Sequence, residues 1–135
     1  MKKFLLCALL FATPAQAADS WLVGRWFGSG QPDDRSQMWL ETGTADGKFH
    51  VLHRACRQGQ AFDSTQDGTW SMKGDMLTVR IEKIDGAATP VRTDVYRILK
   101  HDARTQSYRY EATGFVYNSR KVDGKFQMPP CDLAS

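Results

Sequence analysis

The stretch Met76–Ile84, MLTVRIEKI, constrains the fold more than any other part of the chain. Leu77, Val79 and Ile81 point one way along an extended backbone, and Thr78, Arg80 and Glu82 point the other. A period of two marks a strand with one dry and one wet face, whereas a helix would need a period of 3.6. Comparable short runs recur at residues 24–29, 37–42, 48–56, 91–99, 107–113 and 115–122. Residues 59–62 and 68–72 read as two shorter strands separated by a polar stretch, and 125–128 as a last short strand before Pro129 and Pro130 end regular pairing. Between the runs stand polar segments with turn chemistry, among them Asp46-Gly47, Gly74-Asp75, Asp85-Gly86 and Asp123-Gly124. His101 falls in one such segment, residues 101–106.

No window after residue 17 carries a convincing amphipathic helix. Eight or nine short strands with polar turns predict an antiparallel all-β domain. The length favours a closed up-and-down β-barrel of about eight strands, since closure removes exposed edges. A two-sheet β-sandwich satisfies the same periodicity and stays open as the alternative.

Residues 1–17, MKKFLLCALLFATPAQA, read as an export signal peptide and not as part of the fold. Lys2 and Lys3 form a positive start, residues 4–12 an apolar run, and Ala15-Gln16-Ala17 a small-x-small cleavage site. The run is about nine residues, short of the roughly twenty that a spanning helix needs. Cys7 lies inside this run instead of following it, which argues against a lipid-anchored cysteine. Cleavage after Ala17 leaves residues 18–135 as one domain, with no membrane span and a periplasmic or secreted location.

Losing Lys2 and Lys3 lowers the 18 basic residues to 16 against 15 acidic ones, so the net charge falls from +3 to +1. No basic run remains to track phosphates, and nucleic acid is not an expected partner. Two cysteines also remain, Cys56 and Cys131. An even pair in an exported chain reads as a disulfide, with two free thiols as the alternative. Neither a CxxC pair nor a histidine at ligand spacing accompanies them, so no metal is expected.

Catalytic chemistry finds little support, and no catalytic residue or cofactor is expected. His50 and His53 are three apart on one strand and leave it on opposite faces, so they cannot form a same-strand metal pair. His53 shares a face with Phe49, Val51 and Ala55, which would make it a polar group inside a barrel. Gly28-Ser29-Gly30 is not a nucleophile elbow, which needs Gly-x-Ser-x-Gly between a strand and a helix. It reads instead as the place where the first strand bends and ends. The chain has neither a Gly-rich phosphate loop nor an HExxH.

Aromatic side chains carry the stronger signal. Trp39, Trp70, Tyr96, Tyr108, Tyr110 and Tyr117 all fall on strands, with Tyr108 and Tyr110 on one face and Tyr117 on the next strand. Such residues most often fill a core. Phenol and indole tips need polar partners when buried, however, and a cluster from adjacent strands would also line a cavity with apolar walls and a few polar groups. Trp39, His53, Tyr108, Tyr110 and Tyr117 are the expected ligand-binding residues. Arg54, Arg80, Arg97 and Arg109 would hold an anion if inward and would be solvated if outward.

The opening WLVGRWFG contains Gly24-x-Trp26 on the first strand and resembles the signature of lipocalin-like (calycin) barrels, in particular small bacterial members. The resemblance implies that Trp26 packs across a closed barrel end. It also implies that a mid-barrel strand is tied to the C-terminal segment, as Cys56 and Cys131 would do. The chain departs from the family in its short length, in lacking a pattern for a C-terminal helix, and in lacking clearly placed later motifs; Thr93 to Tyr96 is a loose echo of one. The expectation is a non-enzymatic binding protein with a small amphipathic or apolar ligand in its interior. The alternative is a protein-binding module, such as an inhibitor of an envelope hydrolase, using the segment ADSWLVG as a plug.

Overall fold

The computed structural model describes residues 21–30, 32 and 34–131. The expected export signal, Cys7, the cleavage site and residues 18–20 lie outside the described residues. Eight antiparallel strands follow one another in chain order. They are β1 (Gly24–Ser29), β2 (Gln37–Gly43), β3 (Lys48–Arg57), β4 (Gln60–Lys73), β5 (Met76–Ile84), β6 (Ala87–His101), β7 (Thr105–Tyr110) and β8 (Val116–Val122). Each strand pairs with the next, and β8 pairs back onto β1 with Trp26 opposite Lys121, so the sheet is a closed up-and-down barrel and not a sandwich. No helix is present among the described residues, and none is long and apolar enough to cross a membrane.

Tight hairpins make this topology possible. Gln58-Gly59 joins β3 to β4 and Asp85-Gly86 joins β5 to β6, each as a two-residue loop with φ of 52° and 74°, and of 50° and 79°. Positive φ at both loop positions is the type I′ geometry whose twist matches that of the flanking strands. Asp85 also accepts from Ser64 Oγ and the Thr65 amide, which fastens this turn to β4.

Three local expectations are corrected. The two short strands expected around a polar stretch are one long strand, β4, whose polar residues 63–67 stay in the ladder with β3. His101 is the last residue of β6, not part of a turn, and its ring stacks on Trp21 at 3.9 Å. Residues 125–128 form no strand, because β8 already pairs with β1 and the closed barrel offers no free edge.

That terminal segment instead runs as a strap over the outside of the barrel. Arg25 donates to the carbonyls of Asp123 and Phe126, and Arg54 donates to that of Pro129. Phe126 covers Phe27 at 4.9 Å, and Arg120 lies over both rings. The strap ends in the Cys56–Cys131 disulfide, with Cα atoms 5.4 Å apart. It thus links the last strand's end of the barrel to the far end of β3.

One end of the barrel is sealed. Trp26 is fully buried, its Nε1 donates to the Leu22 carbonyl at 2.9 Å, and Lys121 Nζ sits over its ring while donating to the Trp21 carbonyl. Leu22 is buried beside Trp70, Phe49 and Leu77 in the same apolar cluster. The bulk of an indole at a fully enclosed site is worth about 3–5 kcal/mol on truncation, so Trp26 is a principal anchor of this end.

Candidate functional site

Inward-pointing residues above that floor enclose a cavity of about 510 Å³. Ligand sites commonly measure about 300–1,000 Å³. The cavity opens at the end formed by the β1–β2, β3–β4, β5–β6 and β7–β8 connections, opposite the Trp26 floor. Its apolar wall comes from the dry faces of β3 and β5, including Val51, Val79 and Ile81, the alternation evident in the sequence.

All five expected binding residues line this cavity: Trp39 on β2, His53 on β3, Tyr108 and Tyr110 on β7, and Tyr117 on β8. Tyr96 on β6 joins them and completes a continuous aromatic wall. Tyr110 and Tyr96 lie 5.0 Å apart between centroids, Tyr96 and Tyr108 5.6 Å, Tyr108 and Tyr117 5.8 Å, and Tyr117 and Trp39 5.9 Å. Edge-to-face and offset arrangements at such distances suit the ring quadrupoles. Trp70 is not part of the lining; it packs in the cluster at the sealed end.

Gly28 makes room for this wall. A Cβ at Gly28 would stand 2.0 Å from the Trp39 ring, and Gly28 remains paired with Trp39 within β1. The Gly-Ser-Gly stretch thus serves the close approach of an indole, and β1 ends within it, at Ser29, with Gly30 in the left-handed region at φ 71°. Gly68 plays a related part: a Cβ there would meet the Arg80 carbonyl oxygen at 1.7 Å, at the bulge where β4 shifts register against β5.

Polar groups sit at two levels. Near the mouth, Asp94 is buried and accepts from Arg92 Nη2 at 3.1 Å and from the Tyr110 hydroxyl at 3.0 Å. Burial, then the hydrogen bond to Asp94, push the Tyr110 phenol upward. His53 is held below its ordinary value by burial and by the positive charge of Arg92, against a hydrogen bond to Gln66, so it is neutral at neutral pH. None of Arg54, Arg80, Arg97 and Arg109 lines the cavity; Arg54 pairs with Asp63, Arg97 with Asp75 and Arg109 with Glu111. The inward arginine is Arg92. His50 faces outward, with its Nδ1 2.6 Å from Asp67.

Deeper in the cavity are Glu41 and Gln106, neither evident as a site residue from composition or motif. Glu41 lies on β2 toward the sealed end, two residues beyond Trp39 on the same face. Removal from bulk water pushes its carboxyl up to about 7. Gln106 is the first inward residue of β7; its Nε2 donates to Ser119 Oγ at 2.9 Å, while its buried Oε1 has no partner among the described residues. Desolvation raises the phenols of Tyr96 and Tyr108, and the Glu41 charge adds to both shifts, as expected for groups that line one lumen. The position signal for Glu41, Asp94 and Gln106 is shared: each stands two residues from an aromatic that faces the lumen.

Among the described residues no three His, Cys, Asp or Glu side chains gather as a metal site would require. Comparison with known protein families, with curated proteins and with solved structures finds no match to the chain.

Proposed function

We propose that the protein is an exported, lipocalin-like binding protein, periplasmic or secreted, that holds a small amphipathic ligand in the barrel without transforming it. The observation that carries this reading is the cavity itself, sealed at the Trp26 end, open at the other, and walled by five aromatic rings. An apolar wall with a few convergent polar groups is the usual make-up of a small-molecule site. The apolar side chains Phe62 and Phe115 are exposed at the open end, where an amphipathic molecule would enter. The disulfide suits an oxidising compartment outside the cytosol.

The protein-binding alternative has less behind it. Of the segment it would use as a plug, Trp21 and Leu22 are committed to the barrel floor by their contacts with Lys121, His101 and Trp26. The small-ligand reading is tested with the fluorescent probe N-phenyl-1-naphthylamine. Saturable binding of one probe per barrel, abolished when Val79→Trp fills the lumen, is the expected result. Absence of saturable binding, or binding unchanged in the filled variant, would overturn it.

A further inference from the structure

The cavity floor carries two acceptors with nothing to accept from. Glu41 has no hydrogen-bond or ion-pair partner among the described residues, although it is half-buried and lines the cavity. The Gln106 amide oxygen is buried on the same lumen and unpaired among the described residues. A buried acceptor left unsatisfied, as the Gln106 oxygen is, is costly, and a half-buried carboxylate facing an apolar-walled cavity gains from a paired donor, so the two together favour an occupant that brings donors. Both groups lie toward the sealed end, below the ring wall.

The other charges of the lumen do not meet this demand. On β6, Arg92 is engaged by Asp94, which also holds the Tyr110 hydroxyl of β7. On β3, His53 is neutral, and the lining residues contributed by β4 and β5 do not titrate. The rings of Tyr96, Tyr108 and Tyr117 line the cavity, and aromatic π-faces attract cations. A fatty acid or other carboxylate placed tail-down would set its apolar end against Glu41, and head-down would oppose like charge.

We propose that the cavity selects a cationic amine with an aromatic or apolar body, its ammonium directed to Glu41 and Gln106 and its body against the Tyr96–Tyr108–Tyr117 wall. An ammonium has three donors and no acceptor, which matches one carboxylate and one amide oxygen. The assignment rests on the small-ligand reading above and names its ligand class. Since enclosure raises the Glu41 carboxyl, binding such a cation would draw a proton from it when it is protonated.

Isothermal titration with three probes of matched shape tests this: 2-(1-naphthyl)ethylamine, 2-(1-naphthyl)ethanol and 1-naphthylacetate. At pH 8.0 the amine is expected to bind at least about tenfold more tightly than the alcohol, with the acid weakest, a factor equivalent to about 1.4 kcal/mol. The preference is expected to shrink in wild type at pH 5.5, where Glu41 is protonated, and to vanish in Glu41→Gln at pH 8.0. Gln106→Leu is expected to weaken the amine more than the alcohol. Equal binding of amine and alcohol by wild type at pH 8.0, or a preference that survives in a cooperatively folded Glu41→Gln, overturns the cation assignment. If N-phenyl-1-naphthylamine still binds in that case, the cavity reading stands; if no probe binds at all, both fall together.

Discussion

The Tyr110 hydroxyl donates to Asp94 at 3.0 Å, joining β7 to β6 at the open end of the barrel while Arg92 holds the other carboxylate oxygen. Asp94 is buried, so its two partners replace the water it gives up on folding. Asp94→Ala strands both the phenol and the guanidinium and is expected to cost about 1–3 kcal/mol. Asp94→Asn keeps an acceptor for Tyr110 and is expected to cost less. Urea unfolding at pH 7 measures both, and an alanine variant as stable as wild type would show that the mouth pair contributes nothing.

Reduction of the Cys56–Cys131 bond frees the strap and opens a covalent loop between residues 75 positions apart in sequence. Closing a loop of that size stabilises the folded state by about 4 kcal/mol in the chain-entropy account. The double variant Cys56→Ser, Cys131→Ser is therefore expected to unfold at markedly lower denaturant. Phe27 should become more accessible as Phe126 lifts from it more often, because the strap is then held only by non-covalent contacts, the Arg25 and Arg54 hydrogen bonds and the Phe126–Phe27 packing among them. Thermal unfolding with and without reductant, with Phe27 accessibility followed by hydrogen exchange, checks the two effects separately.

Substituting Gly28 tests the aromatic wall from behind. Gly28→Ala puts a methyl group 2.0 Å from the Trp39 ring, which must then move into the lumen. Overpacking of this kind costs about 1–3 kcal/mol. The displaced indole also narrows the cavity, so weaker binding of N-phenyl-1-naphthylamine is expected alongside the lower stability. Unchanged probe affinity in Gly28→Ala would mean that the probe does not reach Trp39.

How far the sequence revealed this arrangement differs from strand to strand. In β5 the alternation of apolar with polar residues made both the strand and its inward face legible. In β4 residues 63–67 are polar on both faces: Ser64 and Gln66 line the open end of the cavity, while Asp63 and Asp67 pair outward with Arg54 and His50. Hydropathy has no period there, so one long strand reads as two. The aromatic lining was visible because tyrosines at spacing two share a face. Glu41 and Gln106 were not, because a carboxylate and an amide on a strand look solvated until the barrel closes over them. The arginine facing the lumen was missed for the opposite reason: Arg92 sits where β6 shifts register against β5, and a bulge cannot be read from periodicity.

Glu41 also sets a direction for stability against pH. Its carboxyl titrates at about 7 in the folded protein against an ordinary value of 4.5, because the barrel withholds water from the charged form. Between those two values the folded state binds more protons than the unfolded one, so stability falls as pH rises through this window and levels off above it. The full effect is at most about 3–4 kcal/mol, taking about 1.36 kcal/mol for each pKa unit. Glu41→Gln removes the charge without removing the side chain, and is expected to raise the melting temperature at pH 8 while changing it little at pH 4.5. A saturating cationic amine is expected to do the same in wild type by pairing the carboxylate, at a cost of stabilisation as the pH falls below 7. Melting curves of both proteins across pH 4–9 read this out, and a Glu41→Gln curve parallel to wild type throughout would place the carboxyl in contact with solvent.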